Sequence, residues 1–346
     1  MLEAKGWFNM PGPDTDVAVS SRVRLARNLM GYAFLPTLSS EKEVEVRDQI
    51  IDSFQKLGRD YEVVYLDRIS PIEKRMLLER NIISQDFFLA PNKAVVLSSD
   101  GSLSAMINEE DHLRLACIQS GLCLEDTYGK VDGLDSLLEE HLHYSASLEW
   151  GYLNTSLNNT GTGLRASVML HLPALVMDGN INWALKTASQ VDLQIKGYWG
   201  DDDNSLGSMY QIANQVGIGA SEAQIIEGLK ELALQLVEHE RQARLELLKK
   251  RRTELEDRIY RALGLLKNCR IISSKEAIEL LGTLRLGLAL GIIQGPSSEA
   301  VTALLILVQK SHIQKMLDTK DDEADNKLVD YTRAKLIRRA LEEQHV

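Results

Sequence analysis

Residues 93–114 read KAVVLSSDGSLSAMINEEDHLR, and this stretch decides how the first part of the chain folds. Its apolar residues lie on either side of the dipeptide Asp100–Gly101, which favours a tight reversal of the chain. We therefore predict a β-hairpin with strands at Lys93–Ser99 and Leu103–Asn108. The acidic run that follows the second strand places chemically active side chains at the end of a strand.

The composition around this stretch is that of a globular protein, with 44% hydrophobic and 26% charged residues among 346 positions. A chain of this length is expected to form two domains. The formal net charge of −11 disfavours a nucleic acid partner, because nucleic-acid binding requires an excess of lysine and arginine. The sequence has neither a long apolar stretch nor a secretory signal pattern, so we expect no membrane association and a cytoplasmic location.

The cysteines exclude two further classes of protein. Cys117, Cys123 and Cys269 are odd in number and lack the spacing of metal ligands. A disulfide framework or a zinc site is therefore not expected, and all three are predicted to be free thiols.

The chain changes character near residue 229. Short alternating segments with turns precede this point, and the heptad-like apolar spacing of long helices follows it. We predict an α+β domain at residues 1–228 and an all-α domain at residues 229–346. The helices predicted for the second domain are Glu238–Leu266, a helix that Ser273 and Glu276 open as a capping box, Ser297–Lys315 after the break at Gly295–Pro296, and Leu328–Leu341.

A basic segment, SSRVR at residues 20–24, is the first candidate for a functional site. If it is extended, Arg22 and Arg24 lie on one face, and Arg27 is close by. Cations of this kind surround the phosphates in phosphoryl transfer. Taken alone, such a cluster is more often a solvated basic surface or a set of surface ion pairs.

An acidic segment, NEEDH at residues 108–112, is the second candidate, and Arg114 follows it. A guanidinium group has a pKa above about 12, so a nucleophile of this type needs a carboxylate that orients it and accepts its proton. A hydrated turn and a divalent-cation site remain alternative interpretations of these residues.

Two glycine-containing segments complete the set. NTGTGLRAS at residues 159–167 allows backbone amides to approach an anion beside Arg165, although such a segment taken alone is more often a tight turn between strands. KGYWGDDDN at residues 196–204 is either a lid with an acidic tip or an exposed loop.

In this order, the four segments resemble the phosphagen kinase superfamily. GYL at residues 151–153 and RASVMLHLPAL at residues 165–175 are similar to bacterial protein-arginine kinases, which phosphorylate arginine side chains in proteins. The resemblance covers essentially the whole chain. It implies an α+β catalytic domain, with an antiparallel sheet flanked by helices, followed by an all-α domain that serves dimerisation and regulation.

The resemblance also implies roles for single residues. Glu110 would be the catalytic base, and Asp201 would be the second catalytic carboxylate facing the guanidinium. Glu109 and Ser156 would lie on the substrate side. ATP would bind with Mg²⁺ carried by its phosphates and without a direct metal ligand from the protein. The implied nucleotide-binding residues are Ser21, Arg22, Arg24, Arg114, Arg165, Ser167, Met169, Lys196 and Gly197.

Several of these positions depart from the family pattern. Ser156 replaces a cysteine, and Lys196 replaces an arginine, which removes the planar fork that grips two phosphate oxygens. Residues 200–203 read GDDD where the family has Gly-Glu-Gly-Ser, and Asn81 aligns with a histidine of the nucleotide side.

The second domain carries a further implied site. The family binds phosphoarginine as an allosteric ligand through Arg-Asp-x-x-Arg-Ala, which here reads VDYTRA at residues 329–334. Asp330 and Arg333 are the residues that could retain this role. An ordinary terminal helix with a solvated basic face is the alternative.

The predicted function is therefore transfer of the γ-phosphate of ATP to arginine side chains in proteins. A catalytically impaired pseudokinase that acts as a dimeric binding protein and a kinase of free arginine are the alternatives. The resemblance implies a homodimer whose partners are protein substrates with exposed arginines, an activator protein and the Clp protease system.

Overall fold

The computed structural model describes residues 6–58, 61–88, 91–189, 192–199, 205–318 and 325–342. Its strands are β1 Ala18–Arg27, β2 Tyr61–Tyr65, β3 Ala94–Ser98, β4 Leu103–Ile107, β5 Leu113–Ser120, β6 Ala146–Ser147, β7 Gly151–Tyr152, β8 Leu164–His171, β9 Leu193–Gly197 and β10 Met209–Asn214. Eight of these strands form one sheet in the order β2-β3-β4-β5-β1-β8-β10-β9, and β6 pairs separately with β7. Every neighbouring pair in the large sheet is antiparallel, which confirms the predicted fold class.

The predicted hairpin is confirmed as β3 and β4. Val96 lies opposite Ala105, and the amide of Gly101 donates to the carbonyl of Ser98 at 2.9 Å to close the turn. After β4 the chain reverses again at residues 108–112 and enters β5. The acidic segment is therefore the turn between two paired strands.

Helices flank the sheet and form the second half of the chain. Those in the first part are α1 Ser40–Lys56, α2 Pro71–Glu79, α3 Leu124–Glu139, α4 Pro173–Met177 and α5 Ile181–Ser189. The others are α6 Glu222–Lys250, α7 Arg252–Asn268, α8 Ser274–Ala289, α9 Ser298–Leu307, α10 Lys310–Met316 and α11 Asn326–Glu342. Every helix in the described residues falls short of the length or the apolar character that a bilayer span requires.

Two predicted helices are each divided in the structure. The prediction of one helix at Glu238–Leu266 is wrong at Arg251, whose backbone angles of φ −137° and ψ 38° end α6 and begin α7. Ser297–Lys315 is likewise two helices, α9 and α10, separated at Val308 and Gln309. The predicted terminal helix is confirmed as α11, and Ser273 caps α8 by accepting from the amide of Glu276 at 3.2 Å.

The core lies between one face of the sheet and helices α3 and α6. Val23 and Leu25 of β1 are buried on this face. Arg27 is on the same face, and its guanidinium pairs with Asp135 of α3 at 2.6 Å, which fixes the side of the sheet that α3 covers. Because α6 begins at Glu222, the predicted domain boundary at residues 228 and 229 falls inside a helix, and that boundary stays a prediction.

Replacing Gly163 with alanine is expected to destabilise the fold. Gly163 has φ +67°, and a Cβ there would lie 2.5 Å from the carbonyl oxygen of Ala26. A left-handed conformation costs a residue with a side chain on the order of 1–3 kcal/mol, and the backbone of β1 cannot easily move away. The check is the free energy of unfolding in urea.

Gly129→Ala is the matched control for this substitution. Gly129 lies inside α3, where a Cβ would meet open space, so alanine should stabilise the helix by about 0.5–1 kcal/mol. Equal unfolding midpoints for the two variants would contradict the close approach between Gly163 and β1.

Candidate active site

Four arginines lie on one face of the three central strands. Alternation along β1 points Arg22 and Arg24 to the same side. Arg165 of β8 is directly opposite Arg24, and Arg114 of β5 is opposite Ala26. Directly opposite residues share a face of the sheet, so the register brings all four guanidinium groups together on the side that α3 does not cover.

The cluster has few matching negative charges. Burial lowers the pKa of Arg22 to about 10, and the nearby cations Arg114 and Arg165 add to this shift. Tyr198 and Glu109 oppose it. Burial and the same neighbouring cations hold the pKa of Arg24 well below its usual range, and its buried Nε has no hydrogen-bond partner. Among the described residues, only Arg114 of the four forms ion pairs. A face of this kind favours a polyanion such as a triphosphate.

The acidic turn is built by residues that do not face the cluster. Asn108 adopts φ +63°, and its amide donates to the carbonyl of His112 at 2.9 Å. Asp111 is buried, and its Oδ1 accepts from Asn28 Nδ2 and from the amide of Thr155, both at 2.7 Å. Asp111 therefore ties the turn to the loop at residues 154–160, and it serves the scaffold.

Glu109 is an ion-paired carboxylate. Its Oε2 lies 2.6 Å from Arg114 Nη1, its Oε1 accepts from Ser84 Oγ, and only 5% of its side chain is exposed. Burial alone would raise the pKa of Glu109, but Arg114 and Ser84 hold it below its usual range. The hydrated-turn interpretation is therefore wrong for Glu109, which orients an arginine of the cluster.

Glu110 is the acid of the turn that remains open to a ligand. Its side chain is 42% exposed, and Oε2 lies 3.7 Å from Arg114 Nη2 and accepts from Asn159 Nδ2 at 3.3 Å. Partial burial raises the pKa of Glu110, and the negative charges of Asp111 and Glu109 raise it further. Arg114 lowers the pKa, but by less than the sum of these effects. A carboxylate with a raised pKa at the edge of a cationic cluster is suited to accept a proton.

The loop at residues 154–160 places Ser156 near this acid. The carbonyl of Ser156 accepts from the amide of Asn159 at 3.0 Å, so Ser156 occupies the same turn as the residue that contacts Glu110. Ser156 is half-buried. Ser156 therefore lies in the loop that contacts Glu110.

The glycines of residues 159–167 serve close packing. The amides of Gly161 and Thr162 donate to the carbonyls of Tyr152 and Gly217 at 3.1 and 3.2 Å. These amides are therefore not available to an anion, and the tight-turn interpretation is the one that the geometry favours. The contribution of this segment to the cationic face is the side chain of Arg165.

Three other implied nucleotide-binding residues lie on β1 and β8. Ser167 is opposite Arg22, with its Oγ accepting from Gln211 Nε2 at 3.2 Å, and Met169 follows on the same face. Ser21 lies on the opposite face, where its Oγ donates to the carbonyl of Gly121 at 2.8 Å. The structure thus brings Ser167 and Met169 to the arginine face, and it does not bring Ser21 there.

Lys196 and Gly197 lie at the end of β9, which is an edge strand. Lys196 is exposed and lies opposite Gln211, in the same cross-strand row as Met169. Its ammonium group is therefore on the arginine face. Asp201 and the altered segment at residues 200–203 lie outside the described residues.

Tyr198 and Asn81 close one side of the cluster. The hydroxyl of Tyr198 donates to Asn81 Oδ1, and Tyr198 lies within electrostatic range of Arg22. Sequence reasoning assigned no role to Tyr198, to Asn159 or to Ser84, although each contacts a predicted site residue. Asn159 and Tyr198 lie in two of the segments that the sequence singles out, but their contacts, like that of Ser84, depend on the fold and have no signal along the chain.

The second implied site lies in α11. Arg333 is buried, and it donates to the carbonyls of Val308 and Ile272 at 2.6 and 2.7 Å and to Asp330. These bonds attach α11 to the neighbouring helices, so Arg333 is neither part of a solvated basic face nor free of structural partners. Phosphoarginine binding by Asp330 and Arg333 stays a prediction.

No group of three histidine, cysteine, aspartate or glutamate side chains able to hold a metal occurs in the part of the chain that the structure describes. Glu109 is already engaged with Arg114, and Asp111 with Asn28 and Thr155, which leaves Glu110 as the one open acid of this described turn. The divalent-cation interpretation of this turn therefore has no geometric support.

Comparison with protein families decides the classification. Residues 42–243 match the model for the ATP:guanido phosphotransferase, C-terminal catalytic domain. The chain belongs to the ATP:guanido phosphotransferase family. Residues 252–345 of this ATP:guanido phosphotransferase match a second model, the protein-arginine kinase McsB C-terminal domain.

Similar proteins cover most of this phosphotransferase. It is 41% identical over 317 residues to a protein-arginine kinase of Bacillus licheniformis, with 89% of this chain and 86% of the relative covered. It is 40% identical over 337 residues to a protein-arginine kinase of Halalkalibacterium halodurans, with 95% and 94% covered.

Solved structures share its fold. A crystal structure of lombricine kinase has a TM-score of 0.59 at 20% identity and covers 69% of this chain and 72% of its own. The duplicated taurocyamine kinase from Schistosoma mansoni with bound transition state analog components has a TM-score of 0.61 at 21% identity, with 78% and 40% covered.

Replacing Arg24 with methionine is expected to change stability and nucleotide affinity in opposite directions. Removing one of several repelling, half-buried cations should stabilise the ligand-free protein, by analogy with apolar replacement of buried ions worth about 1–4 kcal/mol. It should weaken Mg-ATP binding roughly tenfold or more, because a charge-assisted hydrogen bond contributes about 1.5–3 kcal/mol. Thermal unfolding without ligand and calorimetric titration with Mg-ATP measure the two effects.

Arg261→Met is the control for both measurements. Arg261 is 77% exposed on α7 and makes only a 4.0 Å contact with Asp257, so neither stability nor affinity should change by much. A destabilised Arg24→Met protein with normal nucleotide affinity would contradict the assignment of this face to phosphate binding.

Proposed function

We propose that this ATP:guanido phosphotransferase is a protein-arginine kinase, which transfers the γ-phosphate of ATP to the guanidinium group of arginine side chains in proteins. The arrangement that carries the proposal is the face of four arginines with Glu110 at its edge. The name shared by relatives at 40–41% identity, and the match of the second half of the chain to the protein-arginine kinase C-terminal domain, support it.

The arginine face supplies the nucleotide site. Arg22, Arg24 and Arg165 make no ion pair with another described residue, so their donors can bind the triphosphate oxygens. Arg114 has its shorter carboxylate contact with Glu109, at 2.6 Å, and this contact fixes its direction. Mg²⁺ would arrive with ATP and neutralise part of the phosphate charge, since the described residues offer no metal cage of their own.

Glu110 supplies the base. In the transfer, a guanidinium nitrogen of the substrate attacks the γ-phosphorus, the new phosphorus–nitrogen bond forms, and the bond to the bridging oxygen breaks. The leaving ADP takes the electron pair, and the proton of the attacking nitrogen passes to the Glu110 carboxylate. The cations stabilise the charge on the transferred group while the carboxylate holds the nucleophile in line.

The second carboxylate that the resemblance implies is Asp201, and its role is part of this proposal. Lys196 would provide a point charge where the family has an arginine. No observation favours the pseudokinase over the kinase, because the four arginines and Glu110 are all present and converge. The homodimer, the activator protein, the Clp protease system and a cytoplasmic location also stay predictions.

Glu110→Gln is expected to abolish phosphorylation of a protein substrate while leaving Mg-ATP binding intact. The amide has the shape of the carboxylate but does not accept the proton. The assay incubates the enzyme with Mg-ATP and an arginine-rich protein and detects acid-labile phosphate on arginine by mass spectrometry, with calorimetry for nucleotide binding. A loss of at least about 100-fold is the expected scale for a general base.

Glu149→Gln is the matched control, since Glu149 is an exposed acid outside the arginine face. Full activity of Glu110→Gln would refute the base assignment. A wild-type enzyme that phosphorylates free arginine but no protein would replace the proposal with the small-molecule kinase, and one that binds no Mg-ATP would overturn it.

The pH dependence of the reaction should carry the signature of Glu110. The base works in its deprotonated form, so kcat/KM is expected to fall as the pH drops through a pKa above that of an ordinary glutamate. A pH–rate profile measures this acid limb. The residual activity of Glu110→Gln should not fall on the acid side of the profile. A wild-type acid limb at the usual pKa of glutamate would contradict the raised pKa of Glu110.

A further inference from the structure

A polar contact joins the helical domain to the segment that supports the active site. Glu79 ends α2, and its carboxylate oxygens accept from the amide of Ser311 at 3.0 Å and from the amide of His312 at 3.3 Å. The His312 ring also bonds the same carboxylate, with Nδ1 lying 2.7 Å from Oε2. α10 is thereby fixed against the end of α2 across more than 200 residues of sequence.

The His312 ring has one arrangement of its proton that satisfies both of its partners. Arg80 Nε donates to His312 Nε2 at 3.1 Å, so Nε2 must carry a lone pair and Nδ1 must donate to Glu79. Only 2% of the His312 side chain is exposed. The ring therefore holds two consecutive residues, Glu79 and Arg80, in one position.

The residues that follow Arg80 reach the active site directly. Asn81, with φ +63°, accepts the hydroxyl of Tyr198 beside the arginine face. Ser84 donates to Glu109, which pairs with Arg114 at 2.6 Å. The segment at residues 79–84 thus has its beginning attached to α10 and its end attached to the acidic turn.

We propose that His312 is a positioning residue for phosphoryl transfer, acting from the helical domain through residues 79–84. By holding Glu79 and Arg80, it keeps Ser84 on Glu109, and Glu109 in turn directs Arg114 towards the phosphates. This inference rests on the proposed function for its kinetic part. A displacement of about 1 Å at a reacting centre can cost up to about 100-fold in rate, which gives a buried contact at this distance a measurable effect.

The kinetic test is a double-mutant cycle between His312→Ala and Ser84→Ala. Each single variant should lower kcat roughly tenfold with a smaller change in the KM of the protein substrate, and the double variant should be no slower than the slower single variant. Non-additivity of this kind is expected only if both residues act through one contact chain. His312→Asn should restore part of kcat, because its side-chain amide can still donate to Glu79.

Lys315→Gln is the matched control from the same helix. Lys315 pairs with Glu73 at 2.9 Å in the same interface, where its side chain is 39% exposed, and this pair does not involve residues 79–84. Its kcat should stay near that of the wild type. Additive losses in the cycle, or equal losses in Lys315→Gln and His312→Ala, would refute the positioning role in favour of general stability.

Hydrogen exchange provides a readout that does not depend on activity. The amide of Glu110 donates to Glu109 Oε2 at 2.9 Å, so it should exchange faster in folded His312→Ala if Glu109 loses its position. Unchanged exchange at residues 108–112 would overturn the inference even in an active enzyme. If His312→Ala exchanges faster but the wild-type protein has no kinase activity, the contact chain is supported and only the proposed function is contradicted.

Discussion

Repulsion among guanidinium groups on one face of an antiparallel sheet is the constraint on which the site depends. Arg24 faces Arg165 across a strand pair, which places like charges in direct opposition. The sheet tolerates this because its other face buries a large apolar core under α3 and α6. The fold therefore maintains a preorganised cationic surface whose electrostatic cost a bound polyanion removes.

Two neighbouring glutamates of one turn have different roles because their surroundings differ. Glu109 is enclosed by Arg114 and Ser84 and has a lowered pKa, whereas Glu110 is more exposed and has a raised pKa. The surroundings of Glu109 thus favour its ionised form, and those of Glu110 make it the better proton acceptor. The pKa values of these two adjacent glutamates are thus shifted in opposite directions, which separates the orienting carboxylate from the proton-accepting one.

Local sequence patterns predict the hairpin and the shared face of Arg22 and Arg24, whereas the resemblance to the family implied that Arg114 and Arg165 join them. Alternation along β1 is enough to place Arg22 and Arg24 together. The break at Arg251 was missed because the apolar spacing continues from α6 into α7. The contacts of Ser84 and Tyr198 could not be predicted either, because they depend on where the segments that follow α2 and β9 lie in the folded chain. The closure of the loop at Asp201 stays a prediction.

Ser156 gives this enzyme a hydroxyl where the family pattern has a thiol. The thiols that the chain does carry lie elsewhere: burial raises the pKa of Cys117 to about 12 and also raises the pKa values of Cys123 and Cys269. Peroxide and alkylating reagents attack the thiolate form. The residues proposed for the catalytic centre therefore include no cysteine thiol, and oxidants that act through a thiolate have no direct route to switch it off.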